Sequence, residues 1–280
     1  MAYFEFNYPI GLFILFIVAL VLFSVESLYF SYVFYFVSKK HEIERLKLLF
    51  IGFLVLGISS VFYVLGWIYF AIYGSAATPI NLFTLVVNFL PLVVGLFVAS
   101  TFVWYMSFYA YARLQRNDRL GKMDFFVLGA GILGIILSLV PQNMWMRSDL
   151  PRLQEPTPWN PNPPVYIESL VRLSTALLII FIGFMTVFAY YLLYKRKYRQ
   201  DPEDIITIKR YVYLLVGILF MVIANVAMAM RDVAALRGEE MLPQSIITLI
   251  IVTFLQVISA FALYVGIVAP EWITRRWTRK

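Results

Sequence analysis

Read only as polar and apolar positions, the chain is a series of long apolar runs separated by short charged clusters. Seven runs can be drawn, over about 10–37, 48–73, 80–111, 123–140, 165–194, 211–230 and 245–268. The hydrocarbon core of a bilayer is ~30 Å thick and takes ~20 residues of helix, so each run is long enough to cross it or nearly so. Backbone N–H and C=O groups in lipid must find partners within their own segment, so such runs are helices. The ~10-residue alternating segments of a membrane β-barrel are absent. The pattern predicts an all-α polytopic membrane protein, a single seven-helix domain over 1–280.

The charged clusters then set an orientation. Of the 23 Lys and Arg residues, 18 fall between runs one and two, three and four, and five and six, or in the tail. They include Arg113, Arg116, Lys195, Arg196, Lys197, Arg275 and Arg276. With seven runs all of them share one side, and six or eight runs would scatter them. Short Lys/Arg-rich loops stay cytoplasmic, which predicts an N-terminus outside and a C-terminus inside. The net charge of +7 is thereby explained without nucleic acid. It leaves a basic face suited to anionic lipid or to a cytoplasmic signalling protein. "MAYFEFNYPIGLF" lacks a positive n-region and a cleavage site, so the first helix is expected to be retained.

Composition adds little beyond this. The chain is 62% hydrophobic and 14% charged, against about 25% charged in an average soluble domain. Cysteine is absent, which excludes disulfides and thiol chemistry. Few thermolabile side chains occur, which fits a thermophilic source.

One segment breaks the pattern. Residues 141–166 hold seven of the thirteen prolines, two tryptophans and no glycine, and the loop proper spans 141–164. It lies on the outer side by the charge rule. Trp145 and Trp159 are apolar anchors that a solvated tether does not need, and the proline spacing favours extended, semi-rigid chain. An ordered cap over the outer mouth of the bundle is expected, with at least one of the two indoles packed on helices.

Polar residues inside apolar runs are the candidate site residues. Glu26 lies near the middle of run one, where an ionisable group costs a few kcal/mol unless it faces the bundle interior or water. It is either a ligand contact or a packing group bonded to Ser24, Ser27 or another span. Asn88, Asn225 and Gln256 are the other strong hydrogen bonders in the runs. Amides of this kind commonly join helices. Asn88 and Asn225 also fall in the outer halves of their spans, where together they would line a polar pocket. Glu168 and Arg172 are spaced i,i+4 at the outer end of run five, so they pair with each other or leave Arg172 to clamp an anionic ligand.

The absences narrow the chemistry. No run contains a lysine or a histidine, which excludes a retinal-type Schiff base and histidine-held haem or metal centres. There is no P-loop, no GxSxG and no HExxH. No enzyme, cofactor or metal is expected.

The last run ends "ISAFALYVGIVAPEWITRR". Through Tyr264, Gly266, Pro270, Trp272, Arg275 and Arg276 it resembles the close of the N-terminal seven-helix sensor module of archaeal and bacterial sensor histidine kinases. In that family the last helix passes through such a step into cytoplasmic domains. Here no kinase follows in the 280 residues, so the resemblance implies signalling to a separate partner.

Three classes of function follow. The first is a receptor or sensor of the cell membrane that binds a small ligand beneath the outer loop. Its candidate contacts are Glu26, Asn88, Asn225, Arg172, Gln256, Trp145 and Trp159. The second is a non-catalytic accessory subunit of a larger membrane assembly. The third is a small-molecule transporter, disfavoured by a single mid-membrane carboxylate and by slight internal repetition.

Overall fold

Each apolar run folds as a helix in the computed structural model, which describes the backbone over 10–73, 81–115, 121–145, 163–236 and 242–278. Side chains are described over 11–40, 42–68, 93–115, 121–139, 174–228 and 247–278. The helices are α1 Ile10–His41, α2 Leu46–Tyr73, α3 Asn81–Gln115, α4 Lys122–Trp145, α5 Pro163–Gln200, α6 Ile205–Leu236, α7 Leu242–Val268 and α8 Glu271–Thr278. Seven are long and apolar enough to cross a membrane. No strand occurs among the described residues.

Most helices outrun the apolar windows that predict them. The 38 residues of α5 span ~57 Å at 1.5 Å per residue. Hydropathy stops counting at Lys195, but Lys and Arg are good helix formers, so the helix continues into water. The polar ends of α1, α3, α5 and α7 and the starts of α2, α4 and α6 thus gather at one end, the basic end. The eighth helix lies there too, where sequence reading placed only a tail.

Helix neighbours define the architecture. α1, α2, α3, α5, α6 and α7 pack in sequence, and α7 returns to α1 to close a ring. α4 stands outside it, against α3 and α5. α3 and α7 are the most enclosed of the spanning helices over their described residues, and on α3 Phe102, Trp104, Tyr105 and Phe108 are fully buried. Trp104 packs on Phe108 at 4.3 Å and meets Phe53 of α2 edge-on at 6.0 Å, and Phe108 faces Tyr190 of α5 at 6.3 Å. α4 instead turns Phe125, Phe126, Ile132 and Ile136 outward.

Between membrane helices the packing force is close contact, because lipid is as apolar as the side chains. Small residues therefore hold the seams. A Cβ on Gly217 of α6 would lie 2.9 Å from the carbonyl oxygen of Ser259 of α7, and Ser259 Oγ donates to Gly217 O at 2.7 Å. One on Gly266 of α7 would lie 2.9 Å from Arg210 O. Ser59 Oγ of α2 donates to Ser100 Oγ of α3 at 2.6 Å.

Helix ends at the basic side are individually built. α1 closes with Glu42 in the left-handed region (φ 53°) and Ile43 N–H bonded to Ser38 O at 3.1 Å, a Schellman closure. α7 closes with Ala269 at φ 48° and its N–H on Val265 O, and Pro270 prevents continuation.

Candidate functional site

Glu26 is half-buried on α1, one turn from Phe30, whose ring stacks on Tyr264 of α7 at 4.8 Å. Glu26 Oε2 is shielded from solvent and has no hydrogen-bond partner among the described residues. The neighbouring serines do not supply one. Ser24 Oγ donates to Leu20 O at 2.8 Å, and the fully buried Ser27 Oγ has no partner among the described residues.

Asn225 is engaged. Its Nδ2 donates to Tyr105 OH at 2.8 Å and to Met221 O of its own helix at 2.9 Å. Tyr105 reaches α6 because Gly183 of α5 leaves room for it: a Cβ there would lie 3.3 Å from the phenol ring. The amide thus joins α6 to α3 across the interior. Gln256 is buried on α7. No hydrogen bond joins Glu26, Asn225 and Gln256 to one another among the described residues. The side chains of Asn88, Trp145, Glu168 and Arg172 and all of Trp159 lie outside the described residues, as does 146–162 of the expected capping loop; its ends are helical instead, 141–145 closing α4 and 163–164 opening α5.

At the basic end the polar groups are organised. Asp124 of α4 is 1% exposed. Arg113 of α3 grips it with two nitrogens, Nη2 to Oδ2 and Nε to Oδ1, both at 2.7 Å. Tyr109 OH donates to Oδ1, and Gly121 N–H to Oδ2 at 2.7 Å. Asp124 is the third residue of α4, so its bond back to Gly121 also satisfies an orphan donor at the helix start. Arg113, expected on the cytoplasmic face as a partner or lipid contact, is instead turned inward as the strut between α3 and α4. Its carboxylate was missed in sequence reading. The available signal was an acidic residue opening an apolar run behind a basic loop.

A second network borders a cleft of about 540 Å³, lined by Glu42, Ile43, Glu44, Arg45, Tyr111 and Gln115. Gln115 Nε2 donates to Tyr111 OH at 2.6 Å, and Tyr211 OH of α6 donates to Gln115 Oε1 at 3.2 Å. The Tyr190 hydroxyl is fully buried and has no hydrogen-bond partner among the described residues. Glu44 pairs with Lys47 at 3.3 Å on the surface.

The remaining basic residues divide into occupied and unoccupied ones. Lys197 bridges Asp201 (3.2 Å) and Asp204 (3.1 Å) in the turn between α5 and α6. Hydrogen bonds from Thr207, joined by Lys197, hold the Asp204 carboxyl down at about 2. Arg275 pairs with Glu271 within α8 at 3.0 Å. Arg210 donates from Nε to Gly266 O at 3.0 Å and from Nη2 to Ile267 O, capping the last carbonyls of α7. Lys195 and Arg276 are exposed. Arg116 lies outside the described residues. No group of three His, Asp or Glu side chains suited to a metal occurs among the described residues.

Comparison of the chain with protein-family models, curated proteins and solved structures gave no match.

Proposed function

We propose that this integral membrane protein is a receptor or sensor that couples its outer half to a partner at the cytoplasmic face. The observation that carries this is the pair of side-chain links between α3 and α6. Asn225 to Tyr105 lies within the span, and Tyr211 to Gln115 lies at the border of the basic-end cleft. The two helices meet across the interior through these side chains. A ligand that shifts α6 in the outer half would be felt at the cleft through both. Glu26, with an unsatisfied buried oxygen, is the group in this interior best placed to gain from a polar ligand.

The absence of native cysteine makes the test clean. Spin labels on Leu114→Cys of α3 and Ile205→Cys of α6 report the separation of the two helix ends in nanodiscs. Small polar compounds that raise the melting temperature are expected to change this distance, and Asn225→Ala is expected to uncouple the two effects. Stabilising compounds that leave the distance distribution unaltered would remove the receptor reading. Flux of those compounds into liposomes, abolished by Glu26→Gln, would replace it with the transporter.

A second reading draws on α4, whose outward Phe125, Phe126, Ile132 and Ile136 form a lateral apolar face outside the ring. An accessory subunit would seat this face on another membrane protein. Photo-crosslinkers at Phe126 and Ile132 that capture one stoichiometric membrane partner would support it; lipid adducts alone would not.

A further inference from the structure

We propose that α8 and the start of α6 form a binding site for the headgroup of an anionic phospholipid in the leaflet at the basic end. This goes beyond the receptor reading and does not depend on it.

Placement comes first. Only Ala269 and Pro270 separate α7 from α8. The left-handed turn at Ala269 and the capping of Gly266 and Ile267 by Arg210 fix where the membrane-crossing helix stops and the short helix begins. α8 therefore leaves the bundle at the membrane boundary. Its sequence, EWITRRWT, is amphipathic. Ile273 is buried, and Trp277 lies on Tyr213 of α6 at 5.5 Å. Trp272 is 55% exposed. An exposed indole at a membrane boundary belongs in the headgroup zone, where its apolar ring and polar N–H are both accommodated.

Charge selects the headgroup. Arg275 is neutralised by Glu271. Arg276 and Lys209 have no carboxylate partner among the described residues. Lys209 Nζ sits 6.0 Å from the Trp277 ring centroid, at the limit of a cation–π contact, and Arg276 adjoins Trp277 in sequence. Lys209 of α6 and Arg276 of α8 thus bring two cations without a described carboxylate partner to the α6–α8 junction, Lys209 beside the Trp277 indole and Arg276 on the exposed face of α8 with Trp272. A phosphodiester answers this arrangement: the guanidinium forks onto phosphate oxygens, the ammonium supplies a second point charge, and the acyl chains follow Trp272 into the bilayer.

The test is lipid retention by native mass spectrometry. The full chain is exchanged into micelles containing phosphatidylglycerol or phosphatidylcholine with matched acyl chains. Wild type is expected to retain phosphatidylglycerol in preference. Lys209→Gln with Arg276→Gln should weaken that retention by roughly fivefold per cation removed, while Lys39→Gln with Lys40→Gln on the same face should not. Arg276→Gln alone touches no described partner, so it reports the loss even if the double variant misfolds. Equal retention of the two lipids overturns the proposal, as does an equal loss in the Lys39/Lys40 variant, which would mean diffuse attraction to the basic face. Displacement of the lipid by soluble glycerol phosphate at comparable concentration would also overturn it, because the site would then read a free phosphate.

Discussion

At the scale of single residues, the most committed group is Asp124. It is buried at the start of α4 and accepts hydrogen bonds from Arg113, Tyr109 and Gly121. Removing one member of a buried pair strands the other charge, which costs about 3–5 kcal/mol. Arg113 keeps some contact with water, its side chain being 19% exposed, so Asp124→Asn is expected near the lower limit, about 3 kcal/mol. Arg113→Gln should cost a similar amount, and the double variant less than the sum, because the two share one interaction. Thermal or denaturant melts in detergent measure all three. Wild-type melting of either single variant would mean that the pair does not hold α3 to α4. The same residues show why a sequence is partly opaque here. Arg113 looks like its basic neighbours in "RLQRNDRLGK". Only the fold brings the helix that presents it against the helix that opens with Asp124.

At the scale of elements, helix existence was legible and helix ends were not. Apolar runs reveal where lipid must be, and seven helices follow from them. Ends depend on local bonds between polar side chains and the backbone, which hydropathy does not register. α6 illustrates this: expected from 211, it begins at Ile205 because Asp204 Oδ1 accepts the Thr207 N–H at 3.0 Å and caps it. That carboxyl titrates at about 2 in the folded chain, against about 3.9 when unfolded. A lowered folded value means that the ionised form stabilises the fold. The contribution is present above about pH 4 and is lost as pH falls toward about 2. Asp204→Asn keeps a capping oxygen but not the charge, so it should melt below wild type at pH 6 by about 0.5–1 kcal/mol. The gap should close near pH 2. A gap of the same size at both pH values would remove the charge from the explanation. α8 was hidden for a related reason, because eight residues of which three are charged carry no hydropathy signal. Its apolar side, Ile273 and Trp277, acquires meaning only against Tyr213 of α6.

At the scale of the whole molecule, the candidate site was legible in part. Glu26 and Asn225 stood out because polar side chains are rare in the runs; Glu26 is half-buried with one oxygen unpartnered among the described residues, and Asn225 is bonded to Tyr105. Tyr105, Tyr111 and Tyr211 did not stand out. Tyrosine is common throughout this chain, with 19 copies, and a phenol that packs looks like one that relays. What the bundle does with its two ends depends on which end faces which compartment. The charge distribution makes a specific prediction, since 18 of 23 basic residues belong to one end. Single cysteines introduced into this cysteine-free chain read the answer directly. Glu203→Cys, in the exposed turn before α6, should resist a membrane-impermeant maleimide in intact cells and label after permeabilisation. Asn160→Cys, in the Pro-rich segment, should label in intact cells. The reverse pattern would place the cleft beside Glu42 and Tyr111 outside. The cleft would then serve the proposed receptor as an entry for an external ligand, and the proposed contact with a cytoplasmic partner would fall.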